Sequence, residues 1–279
     1  MTARPSILIT GCSSGIGHHC AHALAARGWR VFASARKPED VERLRSEGLE
    51  AIELDLASTT SIETAVETVL ARTDGHLDAL FNNGAYGQPG AIEDLSRDVL
   101  RAQLETNLLG WVELTNRVIP VMRRQGHGRI VQNSSVLGFV TLMWRGAYNT
   151  SKFALEGLTD TLRLELHGSG IDVILIQPGP IASRFRANAW QAYQRNISPA
   201  GSAHAETYRR LEQRLQSEDE PAPFTLGPEA VSRALIHALE SRRPRARYRV
   251  TLPTTALALC RWLLPVRLFD RLLRRVSGT

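Results

Sequence analysis

Apolar positions in this chain fall into short continuous runs, separated by longer segments in which they recur at helical spacing. Residues 6–10 (SILIT) predict a buried strand. A glycine-rich turn follows, then a helix from about Gly15 to Arg27 that Gly28 ends. Further strands are expected over 29–34, 49–54, 77–81, 129–134 and 171–177, and helices from Pro38 and over 59–72, 97–124 and 147–167. Strands that are apolar throughout and alternate with helices specify a parallel sheet covered on both faces. The expected fold class is α/β, a doubly wound parallel (Rossmann-like) sheet, in one domain over residues 1–251. Ligands of such sheets sit beyond the carboxyl ends of the strands, where the strand order reverses. The chemistry is therefore expected in the segments that directly follow strands.

Two stretches leave this pattern. Residues 180–226 mix Pro, Ser, Gly, Gln and charges, with a helical piece only around 205–216. So long an irregular insertion predicts a substrate lid, whose Phe185, Trp190, Tyr193 and Tyr208 would close over a lipophilic ligand. Helical spacing returns over 227–240, and 247–251 reads as a last strand. Residues 252–279 form a C-terminal amphipathic extension. There Trp262, Leu263, Leu264, Leu268, Phe269, Leu272 and Leu273 alternate with arginines, and Pro265 divides it. It is expected to dock on protein, from the same subunit or a second copy in a homo-oligomer, or on an anionic membrane as a peripheral contact. Pro265 and Asp270 interrupt what an interfacial helix would keep continuous, which favours protein.

Composition changes the picture in one respect. The 279 residues are 43% hydrophobic and 22% charged, an ordinary globular balance. The net charge is +6, but residues 241–279 carry ten Arg against one Asp, so the rest of the chain is acidic by three. The basic character belongs to the tail and gives no case for nucleic-acid binding. Cys12, Cys20 and Cys260 form no CxxC pair and no metal-ligand spacing, so no metal is expected and a reducing, cytoplasmic setting is. The first residues lack the features of a signal peptide, and no apolar stretch reaches the ~20 residues of a membrane span.

Four motifs stand just after predicted strands or on the next helix. Thr10-Gly11-Cys12-Ser13-Ser14-Gly15-Ile16-Gly17 lets backbone approach a pyrophosphate at a helix N-terminus, although a plain tight turn has the same composition. Asn82-Asn83-Gly84-Ala85 offers amides to tie down neighbouring backbone and a glycine for close approach, or forms an ordinary Asn-Gly turn. Tyr148 and Lys152 share a helix face at i, i+4, where an ammonium would favour the phenolate; an exposed surface pair has the same spacing. Only Lys37 and Lys152 among 34 basic residues are lysine, which suits a site needing a compact point charge. Ser134-Ser135 ends the fifth strand, as a hydroxyl for a substrate oxygen or as a cap.

Taken in this order, the motifs resemble the short-chain dehydrogenase/reductase family, over about residues 6–183, and most nearly its hydroxysteroid and retinol dehydrogenase branch. The resemblance rests on TGCSSGIG, Ser135, Tyr148 and Lys152 in Tyr-x-x-Ser-Lys-Phe-Ala-Leu-Glu-Gly, Asn107 in Glu-Thr-Asn-Leu-Leu-Gly, and Pro178-Gly179 followed by Ile181 and Ser183. It implies Tyr148 as general acid–base, Lys152 lowering its pKa and holding the nicotinamide ribose, Ser135 orienting the carbonyl, and Asn107 positioning Lys152 through water. It implies cofactor contacts from Gly11, Ser13, Ser14, Gly15, Ile16, Gly17, Asp55, Leu56, Asn83, Gly84, Pro178, Gly179, Ile181 and Ser183. The chain departs from the family in reading Asn-Asn-Gly-Ala for Asn-Asn-Ala-Gly, and Ser183 where Thr is common. The second strand ends in Ala33-Ser34-Ala35-Arg36-Lys37, with no carboxylate to bind a ribose 2′-hydroxyl and two cations to hold a 2′-phosphate, so the expected cofactor is NADP. The expected function is an NADP-dependent oxidoreductase acting on a small, lipophilic carbonyl or alcohol. The alternatives are a non-catalytic NADP(H)-binding regulator and a membrane-associated reductase acting on lipids.

Overall fold

The computed structural model describes residues 4–217 and 223–277. The strands are β1 (Ser6–Ile9), β2 (Arg30–Ala35), β3 (Glu50–Glu53), β4 (Ala79–Asn82), β5 (Gly128–Asn133), β6 (Ile171–Gln177) and β7 (Arg247–Arg249). They form one parallel sheet in the order β3-β2-β1-β4-β5-β6-β7. The expected doubly wound α/β fold is present in a single domain. The strand order reverses between β1 and β4, and the expected site motifs gather beyond their carboxyl ends.

Helices α1 (Gly15–Ala26), α2 (Pro38–Ser46), α3 (Thr59–Arg72), α4 (Arg97–Leu104), α5 (Gly110–Gln125) and α6 (Gly146–Glu165) follow in chain order. Local chemistry sets their ends. Pro38 sits in the first turn of α2, where its missing N–H costs nothing. The Ser58 and Ser96 hydroxyls accept from the backbone N–H groups of Ser61 and Val99, capping α3 and α4. Gly28 and Gly126 take φ of +88° and +73° just past α1 and α5. One apolar layer, including Ile7, Ile9, Leu24, Val231 and Leu235, covers one face of the sheet. A second, including Leu8, Trp111, Leu114 and Ile130, covers the other.

The long helix expected over 97–124 is present, helical without a break from Arg97 to Gln125, but its α pattern is interrupted once. Between α4 and α5 the chain widens into a π-turn over Glu105–Leu109. Such turns insert one residue into the ladder and concentrate at functional sites. Gly110 follows, and a Cβ there would lie 1.9 Å from the Leu56 carbonyl oxygen, so α5 is held against the segment after β3.

The segment after β6 is more regular than its composition suggested. Besides the expected helix α8 (Ala205–Gln216), residues Phe185–Asn196 form helix α7. The buried face of α7 is Ala189, Ala192 and Tyr193, too small and too mixed to give a period in the sequence. Tyr193, Tyr208, Leu211, Ala91, Leu95 and Ile197 make a third, smaller core. Residues 218–222 of the expected lid lie outside the described residues.

Helix α9 (Glu229–Glu240) rejoins the main layer, and the extension is helix α10 (Leu252–Leu263) and helix α11 (Val266–Ser277), broken at Pro265 as expected. The extension lies against its own chain on one side. Leu273 and Ser277 are buried, the Ser277 hydroxyl accepts from Met143 N at 3.2 Å, and Arg214 donates to the Ser277 carbonyl at 3.0 Å. Its other side exposes Leu259, Trp262, Leu263 and Val266, with Trp262 81% exposed. No helix among the described residues is long and apolar enough to cross a membrane.

Candidate active site

The loop after β1 needs glycine because three segments meet there. Gly11 takes φ +71°, and a Cβ on it would lie 2.5 Å from Gly84 Cα; one on Gly17 would lie 2.3 Å from the Gly11 carbonyl oxygen. Ser14 is the N-cap of α1 yet makes no side-chain capping bond among the described residues, so the first-turn N–H groups remain for an anion. Ser13 and Ser14 flank them, and Gly15 and Ile16 are the first residues of α1. The Thr10 hydroxyl accepts from Asn83 N and Gly84 N, both at 2.8 Å, so β1 and β4 are bolted together at the switch point.

From this loop a chain of polar contacts runs across the sheet to α6. The Asn83 amide donates to the Thr10 and Gly11 carbonyls at 2.9 and 3.2 Å. The Asn133 amide donates to Asn83 Oδ1 at 2.8 Å, and Lys152 Nζ donates to the Asn133 carbonyl at 2.8 Å. Lys152 is buried, with Nζ 4.2 Å from the centre of the Trp111 ring and 5.7 Å from that of Tyr148. Trp111 itself donates to the Gly84 carbonyl at 2.8 Å. Asn107, in the π-turn, accepts from Tyr86 N at 3.1 Å and donates to Tyr86 O at 2.8 Å and to the Ser151 hydroxyl at 3.3 Å. Its amide thus holds the strand-end segment and the residue beside Lys152, and makes no direct bond to the lysine itself.

Burial dominates the electrostatics of the site. Burial pushes the Tyr148 phenol up to about 12, opposed by a hydrogen bond with Ser135 and by the nearby Arg145 charge. Burial pushes the Lys152 ammonium down to about 7, with the Glu156 carboxylate pulling the other way. Burial thus acts on both groups toward their neutral forms, with Lys152 Nζ 5.7 Å from the centre of the phenol ring.

The other predicted residues take separate places. Arg36 and Lys37 are exposed beyond β2, with Lys37 paired to Glu39 at 3.4 Å. Asp55 accepts from Ala57 N at 3.0 Å, and buried Leu56 packs near Gly84. The Pro178 carbonyl accepts from Val136 N at 2.7 Å, tying the turn after β6 to the Ser135 segment. A Cβ on Gly179 would lie 2.1 Å from the Thr251 hydroxyl, and Ile181 bridges to Leu226. Ser183 lies where a Cβ on Gly15 would touch it at 2.9 Å, which sets it over the N-terminus of α1.

Further residues stand at the site, and of these the sequence singled out only Phe185, as a lid aromatic. The Phe185 ring lies edge-on to Tyr148 at 5.3 Å, and a Cβ on Gly87 would lie 2.8 Å from it. Tyr86 feels the charges of Arg195 and Arg36, although burial raises its phenol overall. Glu156 is buried one turn beyond Lys152 and accepts from Gln177 Nε2 at 2.9 and 3.0 Å. Only its i+4 spacing from Lys152 signals it. Trp144, just before α6, takes a left-handed φ of +63°, a strained conformation of the kind found at functional sites.

Residues 5–194 match the family model described as short chain dehydrogenase. The chain is a short-chain dehydrogenase. It is 42% identical to the uncharacterized oxidoreductase YbbO of Escherichia coli K12, over 96% of this chain and 94% of that one. It is 32% identical to human 17-beta-hydroxysteroid dehydrogenase type 1, over 89% of this chain and 78% of that one. Among solved structures it resembles a single-site variant of the actinorhodin polyketide ketoreductase with NADPH, with a TM-score of 0.72, 28% identity, and 88% and 95% of the two chains covered. As a member of this family it is an oxidoreductase that uses a nicotinamide cofactor and acts on CH–OH or C=O groups.

Proposed function

We propose that this short-chain dehydrogenase is an NADP-dependent cytoplasmic reductase of lipophilic carbonyl compounds and, in reverse, a dehydrogenase of the corresponding alcohols, with residues 1–251 as the catalytic unit. The observation that carries the reading is the cluster of Ser135, Tyr148 and Lys152 under Phe185. The site fits the dinucleotide. Gly11 and Gly17 leave the backbone open, the N-terminus of α1 keeps its N–H groups, and the buried Asn133 Oδ1 and Ser134 Oγ have no partner among the described residues.

When bound, the nicotinamide supplies or accepts the hydride. Ser135 donates to the substrate oxygen and orients it. Tyr148 keeps its proton at neutral pH and gives it to that oxygen as the carbonyl carbon is reduced; in the reverse direction it accepts the proton. Lys152 holds the ribose and, once charged, eases the phenol's loss of its proton. Asn107 fixes the backbone of Tyr86 and the Ser151 hydroxyl, and through them the turn of α6 that carries the lysine. Arg36 and Lys37 hold the 2′-phosphate. The lid built from α7 and α8 excludes water through Phe185, and its apolar ring favours a lipophilic substrate. The ketoreductase with NADPH supports the cofactor, and the hydroxysteroid dehydrogenase supports the substrate class.

The test is a panel of aldehydes, ketones and alcohols followed at the nicotinamide absorbance with both cofactors. Turnover of apolar carbonyls with NADPH is expected. Cofactor binding without turnover of any of them would favour the regulator. A second reading, the same reductase seated on an anionic membrane, is favoured by one observation: the exposed row Leu259, Trp262, Leu263 and Val266 beside Arg261 and Arg267. Sedimentation with anionic but not neutral vesicles tests it.

A further inference from the structure

Outside the catalytic site, three side chains of metal-ligating type converge on one point. His18 and His22 stand at i, i+4 on α1, so both rings leave the same face of the helix. Glu47 follows α2 and brings its carboxylate to them. His18 Nε2 lies 2.6 Å and His22 Nε2 2.9 Å from the same oxygen, Glu47 Oε2, and all three potential ligand atoms lie within 4.8 Å of one another. The two imidazole rings are tilted, with centres 4.6 Å apart.

The carboxylate is held from behind. Arg43 donates Nη1 to the other oxygen, Glu47 Oε1, at 2.7 Å, which turns Oε2 toward the histidines. Asp40 balances that guanidinium, pairing with Arg43 Nη2 at 3.1 Å. The same Nη2 donates to the carbonyl of Ser13 at 2.6 Å, in the glycine-rich loop. The cluster is thus tied through one arginine to the loop that faces the cofactor.

We propose that His18, His22 and Glu47 form a binding site for a divalent transition metal of the zinc class, with two imidazole nitrogens, one carboxylate oxygen and a water completing it. Two neutral imidazoles and a carboxylate suit zinc better than calcium or magnesium, which prefer all-oxygen shells. Tetrahedral ligands bonded at about 2.0–2.1 Å stand roughly 3.3 Å apart, so each nitrogen and the carboxylate oxygen need to separate by under ~1 Å, while the two nitrogens already lie within 4.8 Å of each other. All three side chains are partly exposed and can rotate by that much, and the exposure leaves room for the fourth, water ligand. Arg43 then acts as the outer partner that orients the carboxylate, as such partners do around metals. Bound metal would fasten α1 to the end of α2 and, through Arg43, steady Ser13.

The experiment uses the untagged full chain, stripped with a chelator and titrated with Co²⁺, reading its visible d–d absorption, followed by displacement with Zn²⁺. One equivalent per chain is expected, with Zn²⁺ raising the melting temperature. His22→Gln and Glu47→Gln should each weaken binding at least tenfold and abolish the thermal shift. His167→Gln, on an exposed histidine elsewhere, should change neither. Binding of equal strength in His22→Gln and the wild type would overturn the site, as would less than one equivalent in the wild type. Either result would leave the cluster as a carboxylate hydrogen-bonded by two imidazoles.

Discussion

The two sides of the proposed catalytic cleft are built on different physical terms. On the cofactor side, backbones nearly touch: Gly11 abuts Gly84, and Thr10, Asn83, Asn133 and Lys152 form one unbroken polar chain across three strands. On the substrate side, α7 and α8 rest on a small aromatic core in which Trp144, His204, Tyr208 and Tyr193 meet edge to face or tilted. The first is held by the sheet and tolerates no added atoms. The second is held by side-chain packing on a satellite core, with the Ile181–Leu226 bridge as one of its backbone ties to the rest. A rigid half to fix the chemistry and a looser half to admit the substrate is what the proposed lid would require.

The largest effect that this contrast predicts is confined to one atom of the rigid half. Tyr148→Phe removes the proton donor and leaves the ring against Phe185. The turnover number should fall by roughly 10²–10⁴, the usual worth of a positioned general acid, with cofactor affinity unchanged. Stopped-flow or steady-state rates on any accepted carbonyl, beside a cofactor titration, check both halves of that statement. Near-normal turnover would move the chemistry elsewhere.

Lys152 gives the next, read as stability. Burial lowers its pKa from 10.5 to about 7, so between those values the folded state binds fewer protons than the unfolded one. Stability must then rise with pH across that window, since the desolvation penalty is present in full below it and relieved as the unfolded lysine loses its proton. Urea unfolding without cofactor at pH 7, 8 and 9 should show the wild type gaining on Lys152→Met. Above about pH 10 the raised Tyr148 pKa makes the stability of both proteins fall with pH, because the unfolded phenol ionises first; that contribution is common to both and leaves their difference to the lysine. A flat difference over pH 7–9 would mean that the lysine stays charged in the fold.

Much of the rigid half was legible in the sequence, and the reason is steric. Glycines at Gly11, Gly15 and Gly17 and the polar pair Asn82-Asn83 are choices the local backbone dictates, so they appear as a motif. The looser half wrote no comparable signal. Helix α7 buries two alanines and a tyrosine and therefore shows no apolar period. The π-turn at Glu105–Leu109 uses residues that suit an α-helix equally well. Tyr86 and Arg145 act through tertiary approach alone, and Phe185, expected in the lid, shows its partner Tyr148 only in the structure. Glu156 was in plain view one turn from Lys152, but only the structure shows that it is buried and hydrogen-bonded.

Arg36 tests whether the rigid half also chooses the cofactor. It is exposed and stands where the sheet ends, so its replacement should leave the fold intact. Arg36→Ala should lose a charged contact of about 1.5–3 kcal/mol to NADPH, on the order of 10- to 150-fold in affinity, with little change for NADH. Fluorescence titration of both cofactors separates these outcomes. Tighter binding of NADH by the wild type would refute the preference itself.

The C-terminal helices carry the comparison outward. Leu273→Ala, on the docked side of α11, should cost roughly 2 kcal/mol and lower the melting temperature by several degrees. Trp262→Ser, on the open side, should leave that temperature unchanged and weaken sedimentation with anionic vesicles. If both variants melt like the wild type, the extension contributes nothing to the fold's stability.

Among the described residues Phe185 brings the loose half against Tyr148, the proposed proton donor, and the smallest effect belongs there. Its ring meets Tyr148 at 5.3 Å, 67° out of plane, an edge-to-face pair of about 0.5–1.5 kcal/mol beyond its buried area. It begins α7, 37% exposed, so Phe185→Ala opens the mouth of the cleft and leaves the satellite core of Tyr193 and Tyr208 in place. Substrates that use this ring should bind several-fold more weakly, seen as a higher KM, while kcat changes less because Ser135, Tyr148 and Lys152 keep their positions. Bulky apolar carbonyls should suffer least, since they fill the space the ring leaves. Hydrogen exchange supplies the second readout: the first turn of α7 should lose protection while α6 keeps it. A fall in kcat as large as that of Tyr148→Phe would mean that the aromatic pair orients the phenol itself. The boundary between the two halves would then run through α7, and no longer between α6 and the lid.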